Sequence, residues 1–267
     1  VLFPGVVIPI TASRDKSVKL IKNANSGDKL IGVVSQKDSL VSDPKISDIN
    51  KIGTVAKILR VLQMPDGNIT VIIQGKKRFE LKDIISDDPY FTATINEIPE
   101  SKPNSTDKKF IAIIDSIKDL ALKIINENPN IPHEASFAIK NIHSNAFLVN
   151  FVSSNMNISV NEKYNILKIN GLQDRALSCL KFMNVEFQKL SLKNDIQSKV
   201  RTDLDQQQRE YFLNQQLKTI QEELGTSSND QEIEEMRVKS KTKNWNDKIA
   251  DHFNKELAKL QRMNSQA

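Results

Sequence analysis

The chain has 267 residues and a mass of 30.2 kDa, more than one small core fills, and suits two domains or one domain with a large helical appendage. With 39% hydrophobic and 27% charged residues and only 8 Gly and 9 Pro, it reads as a folded globular chain, which excludes a low-complexity or loop-rich one. The net charge of +5 is spread thinly, +3 over residues 1–99, +2 over 100–184, −1 over 185–225 and +1 over 226–267, so no segment carries the clustered Lys and Arg that phosphate binding needs.

From Leu2 to about Ile98 the periodicity is that of strands. Short strands are predicted at Val6–Ile10 and Leu30–Val34, joined by a helix over Lys16–Asn23 whose Val18, Leu20 and Ile21 face a core. The β-branched run Thr54–Gln63 precedes Met64-Pro65-Asp66-Gly67-Asn68 and the apolar run Ile69–Ile73. Asp-Gly supplies the positive-φ position of a tight reversal, so the pair reads as a β-hairpin. Phe79 and Leu81 then alternate with charged residues, and Phe91, Ala93 and Ile95 alternate with polar ones, so each set turns one face inward. Residues 1–99 therefore form a small, mainly antiparallel β-domain.

Glu100–Thr106 is a linker, with Ser105 or Thr106 placed to cap the next helix. The period then becomes 3.6: Phe110, Ile113, Ile114, Ile117, Leu120, Ala121 and Ile124 make one stripe, ended at Asn128-Pro129. A second helix is predicted over about Glu134–Phe151, with Phe137, Ile142, Ala146 and Val149 inward, and a third from Val160–Glu162. Together, 107–186 reads as a helical bundle. No Pro or Gly interrupts Arg175–Leu224, and Gly225 stands where a helix C-cap wants it. Arg201–Glu210 contains one apolar residue, Leu204, and a helix that is polar all round lies on no core, so 187–225 is predicted to project into solvent as a rod roughly 57 Å long. Leu213, Leu217, Ile220 and Leu224 recur at spacings of 4, 3 and 4, the seam of a coiled coil and the candidate assembly contact. In 226–267 a polar break, Thr226–Asp230, precedes a helical pattern through Ile233, Met236, Ile249, Phe253, Leu257 and Leu260.

The single cysteine, Cys179, forbids an internal disulfide and is compatible with a reducing cytosol; between Leu177, Leu180 and Phe182 it packs as a small apolar residue. No apolar run approaches the ~18 residues that span a bilayer. Val1 is not an initiator methionine and no signal peptide is legible, so the chain is expected to be cut from a longer protein. Gly75-Lys76 is followed by Lys77 and lacks a Gly at position 70, so it is not a nucleotide-binding P-loop. His133, His143 and His252 share no ligand spacing, and no Gly-x-Ser-x-Gly elbow occurs. The expectation is no catalytic residue, no metal and no cofactor in these residues. Lys76-Lys77-Arg78 has no aromatic platform for single strands and reads as a solvated turn. Trp245 is either an exposed contact or an anchor for the C-terminal helices.

Three stretches carry a resemblance to a known family: Val1-Leu2-Phe3-Pro4-Gly5; Val71-Ile72-Ile73-Gln74-Gly75 with Arg78; and, most specific, Arg209-Glu210-Tyr211-Phe212-Leu213-Asn214-Gln215-Gln216-Leu217-Lys218-Thr219-Ile220-Gln221-Glu222-Glu223-Leu224-Gly225. In this order they resemble the N-terminal region of Lon, the ATP-dependent AAA+ protease, and Glu256–Asn264 is similar to the segment just before Lon's ATPase module. The resemblance implies an α+β fold: a PUA-like β-domain, a helical bundle, a long interdomain helix and a helical segment leading to an ATPase. It implies recruitment of unfolded or damaged polypeptides and support of a homo-hexamer, in a cytoplasmic serine protease whose ATP, Mg and Ser–Lys pair belong to modules beyond residue 267.

A binder of unfolded chains needs accessible apolar surface of tolerant geometry. Candidates are Phe3 and Pro4 at the entry turn, Met64 and Pro65 at the hairpin tip, Tyr90 and Phe91 at a strand start, and Tyr211, Phe212 and Leu213 on the rod. The alternatives are a stand-alone adaptor built on the same β-domain, against which the rod argues, and a nucleic-acid binder, which the pI near 9.1 permits but the charge distribution does not support.

Overall fold

A computed structural model describes residues 1–38, 40–64, 68–101, 103–104, 106–223, 226–243 and 245–262. Two compact units make up the chain, Val1–Lys193 and Asn194–Ala267.

The first unit begins with strand β1 (Val7–Ala12), helix α1 (Asp15–Ser26) and strands β2 (Leu30–Gln36), β3 (Ile49–Gln63), β4 (Ile69–Ser86) and β5 (Thr92–Ile98). All pairings are antiparallel, in the order β1-β4-β3-β2. The long β4 serves two neighbours on one side: its first half pairs with β1, its second half with β5. Register slips at Val55/Ala56 and Ile58/Arg60 mark bulges, which bend a ribbon and sharpen its twist. Within the apolar run that opens β4, Ile69, Val71 and Ile73 are buried, and they meet Ala56 and Ile58 of β3, Ala12 of β1 and Ile21 of α1. The predicted alternation holds for Phe79, at 1%, but Arg78, expected in a solvated turn, lies within β4 and is buried beside it, and Ile95 of β5, expected inward, is 42% exposed. The turn residues Asp66 and Gly67 lie outside the described residues.

Four helices follow: α2 (Lys108–Glu127), α3 (Ala135–Lys140), α4 (Asn145–Asn155) and α5 (Val160–Lys168); a fifth, α6 (Leu172–Glu223), begins here. The cap of α2 is Asp107, whose carboxylate accepts from the Lys109 and Phe110 N–H groups, rather than Thr106; Ser105 lies outside the described residues. The predicted stripe of α2 is buried throughout. The predicted helix over 134–151 is in fact two, because Ser144 accepts from the Phe147 N–H and starts α4 afresh. Within α3, Phe137 is 68% exposed and Ile139 takes the inward place at 4%. The Ser159–Glu162 capping box starts α5.

Helix α6 is longer than the predicted rod because it begins at Leu172, not Phe187. Its first turns present Leu172, Ala176, Cys179 and Met183 to the bundle core, all at 3% exposure or less. Residues Asp195–Ile220, by contrast, are all exposed. In the second unit, α7 (Thr226–Lys241) starts at Thr226, where a polar break was predicted; Ser, Thr and Asn suit a helix's first turn as well as a loop. With α8 (Asp247–Arg262) it buries Ile233 and Leu257, while Trp245 stacks edge-on against Phe253 at 4.9 Å. Gly225 and Leu224 lie outside the described residues.

Candidate functional site

The entry turn Phe3-Pro4-Gly5 lies on the sheet, with Phe3 buried and Pro4 and Gly5 half-buried. Gly75 in β4 donates its N–H to Val6 O and accepts from the Gly5 N–H, both at 2.9 Å, so the N-terminal segment lies directly on the strand. That approach requires glycine at 75: a Cβ there would stand 2.3 Å from the Phe3 carbonyl oxygen. Gly5 holds φ +83°, the left-handed region, which turns the chain over the sheet. The Phe3 side chain is 0% exposed and joins the core of the helical bundle, so its candidacy as a polypeptide contact is withdrawn. A large apolar residue beside a glycine turn was free to face either way, and the core captured it. Pro4 is half-buried and its carbonyl accepts from Asn150 Nδ2 at 3.1 Å.

Tyr90 and Phe91 are half-buried against α1: Asn23 Nδ2 donates to the Tyr90 hydroxyl, and the Lys16 ammonium lies 5.5 Å from the Phe91 ring centroid. Met64 is 46% exposed at the hairpin end, and the nearby β3 residues Leu59 and Leu62 are 50% and 42% exposed. Pro65 lies outside the described residues. On α6, Tyr211, Phe212 and Leu213 are exposed, as are the seam residues Leu217 and Ile220, so within the described residues of the second unit the seam is uncovered. The structure thus separates the candidates into engaged residues (Phe3, Pro4, Tyr90, Phe91) and open ones (Met64, Tyr211, Phe212, Leu213).

Sequence reasoning missed a buried polar joint in the first unit. Arg175, at 0% exposure near the start of α6, donates to the Ile169 carbonyl, to Asn150 Oδ1 and, at 2.7 Å, to Glu100. Arg78 of β4 donates to the carbonyls of Leu167 and Ile169 at 2.9 and 2.8 Å. Burial, and then the neighbouring Arg175 guanidinium, push Arg78 down to about 10, with Glu100 opposing; it remains charged at neutral pH. The signal was present in the sequence, as Arg175 falls on the apolar stripe between Leu172 and Cys179, where a charge demands a partner.

His133, His143 and His252 are exposed, and among the described residues no three His, Cys, Asp or Glu side chains converge as metal ligands. Cys179 is buried, and desolvation raises its thiol to about 11. No described helix is long and apolar enough to cross a membrane.

The described residues combine a five-stranded antiparallel sheet with a helical bundle and leave Met64, Tyr211, Phe212 and Leu213 open on the surface. The family model of the ATP-dependent protease La (LON) substrate-binding domain matches residues 1–185, and the chain belongs to that family. It is 65% identical over all its length to a Lon protease of Flavobacterium johnsoniae and 46% identical to one of Cytophaga hutchinsonii, and it spans 33% of the length of each. Its fold is shared with the N-terminal domain of a Mycobacterium avium complex Lon protease, with a TM-score of 0.56, 18% identity, and coverage of 69% of this chain and 92% of that one.

Proposed function

We propose that this chain is the non-catalytic N-terminal part of an ATP-dependent Lon protease, which recruits unfolded or damaged polypeptides for an ATPase and a serine protease elsewhere in the same protein. The observation that carries this reading is coverage: the relatives match all of this chain, yet it spans only a third of each. ATP and Mg then act in the remainder, since these residues offer no phosphate-binding loop. The proposed working division is 1–99, 107–186, 187–225 and 226–267, in a cytoplasmic homo-oligomer, a hexamer by family resemblance.

For substrate contact we favour the open end of the β3–β4 hairpin, with Leu59, Leu62 and Met64 exposed together along one strand end, and Tyr211, Phe212 and Leu213 as a second surface. An unfolded chain offers hydrophobicity rather than shape, and exposed Leu and Met accept many geometries. The double variant Leu62→Ser/Met64→Ser is expected to weaken binding of a permanently denatured protein at least fivefold, with an unchanged circular dichroism spectrum. Undiminished binding would remove this surface, and absence of binding by the unaltered protein would remove the function.

A further inference from the structure

Two guanidinium groups are buried within one joint, and among the described residues one carboxylate, Glu100, answers them. Arg175 is fully buried and Arg78 is 2% exposed, while Glu100, the partner of Arg175, keeps 24% of its side chain in solvent. An arginine carries five donor hydrogens and no acceptor, so its burial is tolerable only where several oxygens converge. Here they come from one short segment: the Leu167 carbonyl, the Ile169 carbonyl, which accepts from both arginines, and the Asn170 carbonyl and side chain at 3.4 Å.

What the joint connects is more informative than what it contains. Arg78 belongs to the sheet, through β4, whereas the carbonyls it holds lie in the last turn of α5 and in the short link to α6 of the bundle. Arg175 belongs to α6, and its carboxylate sits in the linker after β5. Asn150 of α4 accepts from Arg175 and donates to Pro4 at the N-terminal turn. Beside them Ser101 pairs with Gly171 as an isolated parallel bridge and accepts from the Leu172 N–H at 2.9 Å. The sheet core and the bundle core are separate clusters; Phe3 and Val6, on the segment that lies on β4, are buried in the bundle core, and Ile8 packs against both. Apolar contact resists separation but tolerates sliding; a set of directed hydrogen bonds to named carbonyls does not.

We infer that Arg78 and Arg175 act as a two-cation latch that makes the sheet lobe and the helical bundle of residues 1–193 open as one cooperative body, with Glu100 as the counter-charge that sets it. Without the latch the two cores become separate cooperative units, since each buries its own apolar residues.

Hydrogen exchange followed by mass spectrometry, on the full chain under mildly denaturing conditions, tests this. In the unaltered protein the slowest amides of β4, at Val71 and Ile73, and of α2, at Ile117 and Leu120, are expected to exchange at a common limiting rate. In Arg175→Met and Glu100→Gln the two sets are expected to separate by tenfold or more, while Leu177→Ser, on the exposed face of the same helix, leaves them together. If Arg175→Met does not fold, Glu100→Gln decides, because it keeps both guanidiniums and every carbonyl acceptor. Equal acceleration of both lobes in the variants, or separate limits in the unaltered protein, overturns the latch.

Discussion

Replacing Gly75 by alanine adds one methyl group at the point where the N-terminal segment crosses β4. The new Cβ would lie 2.3 Å from the Phe3 carbonyl oxygen and 3.0 Å from its carbon, roughly 1 Å inside ordinary contact. Both obstacles are backbone, so no rotamer change relieves them. Either the entry segment lifts or β4 bends away from it, and both movements lengthen the two 2.9 Å hydrogen bonds between Gly75 and residues Gly5 and Val6. Losing those bonds costs about 1 kcal/mol each, and overpacking a closed site adds about 1–3 kcal/mol. The stiffer unfolded chain returns about 0.4–1 kcal/mol, leaving an expected net loss of about 2–5 kcal/mol. Against a typical domain stability of about 5–15 kcal/mol this is a large shift in the midpoint of urea unfolding, read by circular dichroism at constant slope. Gly27→Ala is the control: its nearest obstacles are at 3.7 and 3.8 Å, ordinary contact distances, so a cost well below that at Gly75 is expected. A cost below about 1 kcal/mol at Gly75, or an equal cost at both glycines, would refute the crossing as the reason for glycine.

Leu213→Ser/Leu217→Ser/Ile220→Ser is expected to weaken self-association of the protein tenfold or more in sedimentation without loss of helix, and unchanged association would dismiss the seam. Cys179 should resist thiol reagents in the folded protein and react only on unfolding. Its folded pKa of about 11 stands above the ordinary 9.0, so the folded state holds its proton more tightly; that contribution to stability is complete below about pH 9 and is lost as pH rises toward 11. Cys179→Ala should flatten this alkaline decline relative to the parent, and an identical decline in both proteins would show that the thiol is not its source.

Where folding follows local spacing, the sequence was readable. The run Ile69–Ile73 was legible as a strand, and the 3.6 period of α2 marked its whole buried stripe, since adjacent residues in one element share its geometry. Reading failed where two local signals competed. Phe137 and Ile142 satisfied a helical period on paper, but Ser144 offered a cap, and capping a new helix won over extending the old one. Asp107 likewise displaced Thr106 as the cap of α2. The candidate contacts divided by burial, which no window of sequence reports: Phe3 went to the core, Tyr90 and Phe91 to α1, and Tyr211–Leu213 stayed in water.

From its residues alone this chain is a mainly antiparallel sheet followed by helices, with a run free of Pro and Gly from Arg175 to Leu224 and no phosphate loop, because periodicity, turn chemistry and the absence of a motif are all local properties. Only the tertiary structure decided that Gly75 lies under Phe3, and that Arg175 finds Glu100 across 75 positions while Asn150 finds Pro4 across 146. A buried charge announces that it needs a partner but not which one; that choice is made when distant segments are packed together and a few oxygens are left facing it.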